Sequence, residues 1–535
     1  MTEIFENELE RRLTELEGAR NWSPRLVSKL EMLIRTGEDS ELFRINPVRY
    51  AEDSGSEESE TIDLFLHGAA CGLFDMEWLI VCATCAHVAN SFRRLATIDP
   101  HFTCNMCSAV NEADMDDHIQ VAFTVSPEVR SIAFHDLLLL EVEDLYSRYS
   151  FSTEAMPLAN GQTIVEQFRD LTKWLTYVEP GESKSVEVEV AGTMLGVFDL
   201  LNSTNAKFVV PDAEEMRETR LGIEIADAKM HVATGSVAQF ELNLPVGEWS
   251  FEEGPSGTGL AAKATAGRAE RSVGVSVAAL GSLPAGTITV EVTNRGPGRA
   301  AVWVVRYTEV PEAVALVEFI PLLSAKRLLS TQTFRQLFRS ETAAGTESLQ
   351  VRDLTYLFTD LTESTAMYDT IGDANAYNLV RLHFDTLVTI IADNSGAVVK
   401  TIGDAVMATF VDPADAVRAA LAGLEAMKNF NRTNSSELVL KIGIHRGHSI
   451  AVTLNDQIDY FGQSVNIAAR VQQVAGPGEL VLTADVYGRP EVQVLLEGFE
   501  VTATSAIVKG VAESVALYKV RPEPVQRETP ASVAE

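Results

Sequence analysis

The sequence predicts an α+β chain of several domains, with helices at the N-terminus, a β-rich middle and a C-terminal third that alternates strand, helix and hairpin. Three observations carry this. The chain has 535 residues, more than one hydrophobic core accommodates. Its apolar period is helical near the N-terminus and close to two between Val186 and Tyr307. After Leu354 the two periods alternate within one stretch.

Composition narrows the partners. Hydrophobic residues make up 46% and charged residues 22%, an ordinary globular mixture, but the formal net charge is −33. Such a chain repels nucleic-acid phosphates and anionic membrane surfaces, so neither is expected as a partner. A polyanionic ligand fits only where bound cations reverse the local field. Met1 to Glu17 is rich in Glu and Arg and lacks the apolar stretch of a signal peptide. No apolar run reaches the roughly 18 residues of a membrane span. A cytoplasmic protein is expected.

Residues 1–66 read as a helical region with an acidic loop. Phe5, Leu9, Leu13 and Leu16 recur at helical spacing. A second helix is expected from a Ser23 N-cap and Pro24, with Leu26, Leu30, Leu33 and Ile34 inward and Gly37 as its stop. The acidic run Glu52 to Glu60 reads as a solvated loop.

Within residues 67–130, Cys82 and Cys85 form one CxxC and Cys104 and Cys107 another. Each short turn presents two thiolates, and two such turns surround one tetrahedral centre as Zn²⁺ prefers, so a structural zinc ribbon is expected. A redox role needs one CxxC, not two. Cys71 is left as a core residue, and His87, His101 and His118 as non-ligands.

Residues 131–312 become β-rich. Val186, Val188 and Val190 alternate with glutamates, and Ile288, Val290 and Val292 with polar residues, which predicts an antiparallel, sandwich-like domain. Gly254 to Gly259 has the glycine spacing of a P-loop, but Leu260 follows where lysine is required, so that match is rejected. Residues 313–349 form a linker, with one helix expected from Ala325 to Ser340. It is either a packed connection or a coupling helix that transmits the state of the N-terminal half. The tail, residues 521–535, is rich in Pro, Glu and Arg and is expected to be disordered.

Residues 350–520 hold the chemistry. A strand over Leu354–Phe358 leads to Asp360, a helix follows over Ala374–Ala392, and Val398 to Phe410 reads as a hairpin turning at Gly403-Asp404. Two aspartates at neighbouring strand ends suit hard divalent cations.

These residues resemble the class III adenylate/guanylate cyclase family. The resemblance rests on LFTDLTEST (Leu357–Thr365), VKTIGDAVM (Val399–Met407), KIGIHRG (Lys441–Gly447) and DYFGQSVNIAAR (Asp459–Arg470), in that order. It implies a ferredoxin-like core, a head-to-tail homodimer and active sites shared across the interface. By resemblance, Asp360 and Asp404 bind two Mg²⁺ or Mn²⁺ ions, Asn466 orients the ribose, and Arg470 stabilises charge on the pentavalent phosphate. Amides of Leu361, Thr362, Ser364 and Thr365, leading into a helix, suit the terminal phosphates. Lys509, before Gly510, is a further phosphate candidate. Lys400 and Asp459 match the base-reading pair. A lysine and an aspartate satisfy the N1 acceptor and N6 donor of adenine, whereas guanine reverses both, so ATP is favoured over GTP. The implied reaction forms 3′,5′-cyclic AMP and pyrophosphate. One departure is His448-Ser449 after Gly447, where Gly-Glu is frequent in the family. That bears on regulation of the loop more than on catalysis.

Three rivals are weighed. A guanylate cyclase is disfavoured by Lys400 and Asp459, and a catalytically inactive scaffold by the intact aspartates and Arg470. For a nucleic-acid or protein-binding adaptor, the acidity of the chain argues against nucleic acid and the intact site against binding as the whole role.

Overall fold

The computed structural model describes residues 3–107, 109–212, 216–232, 240–245, 248–253, 260–265, 274–307, 317–342, 349–362, 364–434, 436–455, 457–507 and 514–524. The chain forms two compact units. Met1–Arg93, Asp99–Ala113 and Asp117–Leu323 make the first, and Arg94–Ile98, Asp114–Asp116 and Ser324–Glu535 the second.

The first unit opens with helices Glu6–Ala19 and Leu26–Thr36. Leu9, Leu13 and Leu16 of one and Leu26, Leu30 and Ile34 of the other are buried. The second helix starts later than the Ser23-Pro24 signal, because Arg25 at its N-cap is left-handed, with φ 70°. It ends at Gly37 as expected.

The acidic run is not a loop. Pro47–Ser54 and Glu58–Ala70 are helices. Gly55 closes the former in the left-handed region, and the Glu57 side chain caps the latter by accepting from the Ser59 and Glu60 amides. Acidic side chains are favoured at a helix N-terminus by the macrodipole. The charge that reads as a solvated loop is therefore a helix start, and behind it Ile62, Leu64, Phe65 and Leu66 are buried.

Phe74–Val81 pairs with Val88–Phe92 and Ile119–Val125, and His101–Thr103 with Val110–Glu112. A sandwich of a four-stranded and a six-stranded sheet follows. The two alternating runs pair with each other, Val188 opposite Ile288 and Val186 opposite Val290. Val188, Ile288 and Val290 join Val197, Phe208 and Val302 in one core. The sheets are mixed, not purely antiparallel: Arg217–Ala226 runs parallel to Gly286–Asn294, and Gly274–Ser282 to Thr204–Val210. Parallel pairs arise from crossover connections, which alternation along one strand does not encode. Gly254–Gly259 lies outside the described residues.

The second unit begins with two short helices, α1 (Ala325–Leu329) and α2 (Gln332–Leu337), where one helix was expected. The chain tightens at Ser330, whose amide donates to the Lys326 and Arg327 carbonyls, and α2 starts after Thr331. Leu329 and Phe334 are buried, whereas Leu337 is exposed.

Then come β1 (Leu349–Leu361), α3 (Ser364–Ile371), α4 (Asp373–Asp393), β2 (Gly396–Ile402), β3 (Ala405–Phe410), α5 (Pro413–Asn434), β4 (Leu440–Leu454), β5 (Gln457–Phe461), α6 (Gln463–Val474), β6 (Leu480–Thr483), α7 (Ala484–Tyr487), α8 (Pro490–Leu495), β7 (Phe499–Ile507) and β8 (Ser514–Pro524). Because β1 begins at Leu349, the expected linker span 313–349 ends one residue inside a strand. The sheet order is β2-β3-β1-β4-β6-β8-β7, with β5 hydrogen-bonded to β4. Leu357, Leu387, Val406, Ala420, Ile442 and Leu480 share its core. Two helices between β1 and β2 and a third before β4 give the expected ferredoxin-like arrangement.

Glycine at 443 is required, since a Cβ there would lie 2.2 Å from the Gln472 amide nitrogen of α6. His448-Ser449 is not in a turn but inside β4. β8 runs to Pro524, so the first residues of the expected tail are strand and the rest lie outside the described residues. No helix among the described residues is long and apolar enough to cross a membrane.

Candidate active site

The site is assembled at one end of β1, β2 and β3. Thr359 fixes the register, its hydroxyl oxygen accepting from the Val406 amide at 3.1 Å. β1 and β3 pair Phe358 with Met407. Continuing that ladder sets Asp360 across from Ala405, next to Asp404 in the turn. Adjacent strands lie about 4.8 Å apart, so the two aspartates occupy neighbouring positions at one edge of the sheet. Gly403, with φ 65°, makes the turn that carries Asp404.

The two carboxylates differ in surroundings. Asp360 faces Lys441 across the ladder, with Nζ 3.2 Å from Oδ2. Asp404 Oδ2 is buried and has no hydrogen-bond partner among the described residues. An unpaired buried carboxylate oxygen is costly, and with Asp360 it offers the hard oxygen donors that Mg²⁺ and Mn²⁺ take. The donor set fits a divalent cation site.

His383 of α4 is a neighbour that sequence reasoning missed. It is fully buried, its Nδ1 sits 2.7 Å from the Val380 carbonyl, and burial holds its pKa low while the Asp404 charge pushes it up. No motif contains it, although its place on the inward side of an amphipathic helix was available from the pattern.

Lys400 on β2 and Asp459 on β5 meet, Nζ 2.5 Å from Oδ2. Asp459 is buried and its Oδ1 also accepts from the Tyr460 amide at 2.8 Å. Helix α2 touches both strands. Gln332 Oε1 accepts from the Val398 amide at 2.8 Å, and Arg335 Nη1 donates to the Ile458 carbonyl at 3.0 Å.

Asn466 and Arg470 are both exposed on α6, where a spacing of four puts them on one face. Arg470 Nη1 donates to Gln473 at 3.3 Å.

The expected phosphate loop is shorter than the sequence suggests. Leu361 is buried as the last residue of β1, and the Thr362 amide already donates to the Val439 carbonyl at 2.8 Å. The strand runs further than its motif implies, and the Thr362 amide is not free at that point. Ser364 and Thr365 begin α3, and their side chains lie outside the described residues, as does Lys509.

A ferredoxin-like sheet, two strand-end aspartates, a Lys–Asp pair and an exposed Asn/Arg helix face are the features that the resemblance to class III nucleotidyl cyclases leads one to expect. Residues 347–520 match the family model described as the adenylate and guanylate cyclase catalytic domain. Residues 7–247 match a family of unknown function, DUF5939. An uncharacterized protein of Mycobacterium tuberculosis is 35% identical over 130 residues, 24% of this chain and 32% of the relative. An adenylate cyclase of Anabaena cylindrica is 26% identical over 200 residues, 33% of this chain and 39% of the relative. The chain thus spans about a third of the length of these curated relatives. The solved adenylyl cyclase CyaB of P. aeruginosa covers 34% of this chain and 99% of its own, at 21% identity and a TM-score of 0.30. Guanylyl cyclases are among the matched structures too.

Proposed function

We propose that this chain is an adenylate cyclase that converts ATP to 3′,5′-cyclic AMP and pyrophosphate at sites completed by two copies of itself. The observation that carries the choice of ATP is the Lys400–Asp459 pair, held at 2.5 Å by strands that Gln332 and Arg335 brace. Lys400 donates to adenine N1 and Asp459 accepts from the N6 amino group. With guanine, Lys400 meets an N1–H donor and Asp459 the O6 acceptor, and each unpaired or repulsive contact costs about 1–3 kcal/mol.

Asp360 and Asp404 would hold two Mg²⁺ or Mn²⁺ ions, which would neutralise charge on the triphosphate and lower the pKa of the ribose 3′-hydroxyl. Asn466 from the facing copy orients the ribose so that its 3′-oxygen stands in line with the α-phosphorus. Arg470 beside it stabilises charge on the pentavalent phosphate as the bond to pyrophosphate breaks. All six residues occur in one chain, so a homodimer builds two sites.

The same reading includes regulation by the N-terminal half. Asp114–Asp116, next in sequence to the hairpin with Cys104 and Cys107, folds within the second unit. Asp116 ion-pairs with Lys326 of α1 and accepts from the Arg352 amide at 2.8 Å, and Asp114 pairs with Arg352 at 2.7 Å. The Met115 amide donates to the Gln350 carbonyl at 3.0 Å, and the Lys326 amide to the Met115 carbonyl at 2.8 Å. This segment is therefore stitched to the start of β1, whose other end carries Asp360, and to the helix before α2.

The test is product analysis of purified full-length protein with Mn²⁺ and either ATP or GTP. Cyclic AMP and pyrophosphate from ATP, with much slower turnover of GTP, support the proposal. Comparable use of GTP overturns the assignment of the base, and no cyclic product from either overturns the activity.

A further inference from the structure

We propose that Cys82, Cys85, Cys104 and Cys107 bind one Zn²⁺ in a closed tetrathiolate site built into the core of the first unit, with Lys207 as the cation that offsets its charge.

The four sulfurs lie within 4.8 Å of one another, with Cys82 and Cys107 at 3.5 Å and Cys85 and Cys104 at 3.7 Å. A Zn–S bond of about 2.3 Å sets tetrahedral S···S edges of roughly 3.8 Å. Both turns also share one backbone device. The Cys82 amide donates to the His87 carbonyl at 2.9 Å, and the Cys104 amide to the Ala109 carbonyl at 2.8 Å, five residues on in each case. Ala86, at φ 57°, closes the first turn in the left-handed region. Asn111 links the turns, accepting from the Ala83 amide at 3.4 Å and donating to the Ala109 carbonyl at 2.9 Å.

The surroundings favour a structural metal over a redox pair. Cys82, Cys85 and Cys104 are buried against Tyr146, Phe151, Phe198 and Trp303, side chains of the region that leads into the sandwich and of the sandwich itself. The sequence predicts a small zinc ribbon within residues 67–130, and in the fold its cysteines form part of the wall of a larger core. Four thiolates so close and so dry repel one another unless a dication sits among them. Tetrathiolate zinc still carries two negative charges. Lys207, buried on the strand Thr204–Val210, holds its ammonium 5.6 Å from the centroid of the Phe198 ring, which packs in the same cluster as the cysteines. His87 Nδ1 stands 3.7 Å from Cys104 Sγ, in the shell around the ligands. With four sulfur ligands there is no open position for catalysis.

The test is metal analysis of full-length protein after dialysis against EDTA, together with the absorption spectrum of the cobalt-substituted protein. About one zinc per chain, and cobalt bands of a tetrahedral sulfur site with sulfur-to-cobalt charge transfer, are expected. Lys207→Gln and His87→Gln keep the four ligands, so they are expected to retain the cobalt bands while losing zinc to a chelator about 10–100-fold more readily. These two variants and the unaltered chain keep the test decisive if Cys104→Ser fails to fold. Four freely titrating thiols without metal, disulfides joining the cysteines, or bound iron in place of zinc would each overturn the proposal.

Discussion

Lys400 and Asp459 stand 59 positions apart in sequence, yet their side chains meet at 2.5 Å on β2 and β5. Each is the other's counter-ion, and both are aligned before any nucleotide arrives. Asp459 is buried, so removing Lys400 leaves a nearly dry carboxylate without its cation. Lys400→Ala and Asp459→Ala are each expected to lower kcat/KM for ATP by about 10–100-fold. Lys400→Glu with Asp459→Ser inverts the donor pattern and is expected to shift preference toward GTP. Steady-state kinetics with both nucleotides check this.

In the proposed site, Asp404 would hold a cation at a cost in stability. Its Oδ2 is buried with no partner among the described residues. Asp404→Ala is expected to abolish turnover while the melting temperature stays level or rises, since an unsatisfied buried polar atom is removed. Calorimetry beside the activity assay separates this from loss of folding.

Arg335 braces the strand that bears Asp459. It donates to the Ile458 carbonyl at 3.0 Å and lies 5.6 Å over the Tyr460 ring. Arg335→Ala is expected to raise KM for ATP several-fold, with the Mn²⁺ dependence unchanged. A structural loss alone would lower kcat and the melting temperature without moving the ATP to GTP ratio.

His445 makes the catalytic unit acid-sensitive. Burial drives its pKa down to about 4, and its Nδ1 sits 3.0 Å from the Thr483 hydroxyl. Unfolded, the same imidazole takes up a proton near 6.5. Between those values the unfolded chain binds more protons, so stability falls as pH drops from about 6.5 towards 4, by up to about 3 kcal/mol. Denaturant midpoints across that range should show the loss, and His445→Gln should flatten it.

Much of the catalytic unit was legible because its chemistry lies in short contiguous stretches. The Gly403-Asp404 turn announced a hairpin, and the runs around Val188 and Ile288 announced strands, though not that they pair with each other. What escaped was set by contacts distant in sequence or by charge with two meanings. Glu57, Glu58 and Glu60 read as solvated loop, yet they start a helix. The break at Ser330 comes from local hydrogen bonds that periodicity does not record. The pairing of Asp360 with Lys441 and the bracing of Ile458 by Arg335 depend on register and on helix placement. The phosphate loop was drawn too long because the Thr362 amide is taken up by the carbonyl of Val439, just before β4.

The proposed site draws on two copies of the chain, and mixing inactive variants tests this. Asp404→Ala lacks a cation ligand and Arg470→Ala lacks the phosphate cap, so each alone should be inactive. Equal amounts allowed to exchange should recover roughly a quarter of the unaltered activity, from mixed dimers with one intact site. Persistent inactivity of a mixture whose mixed dimers are demonstrated by mass spectrometry would contradict it.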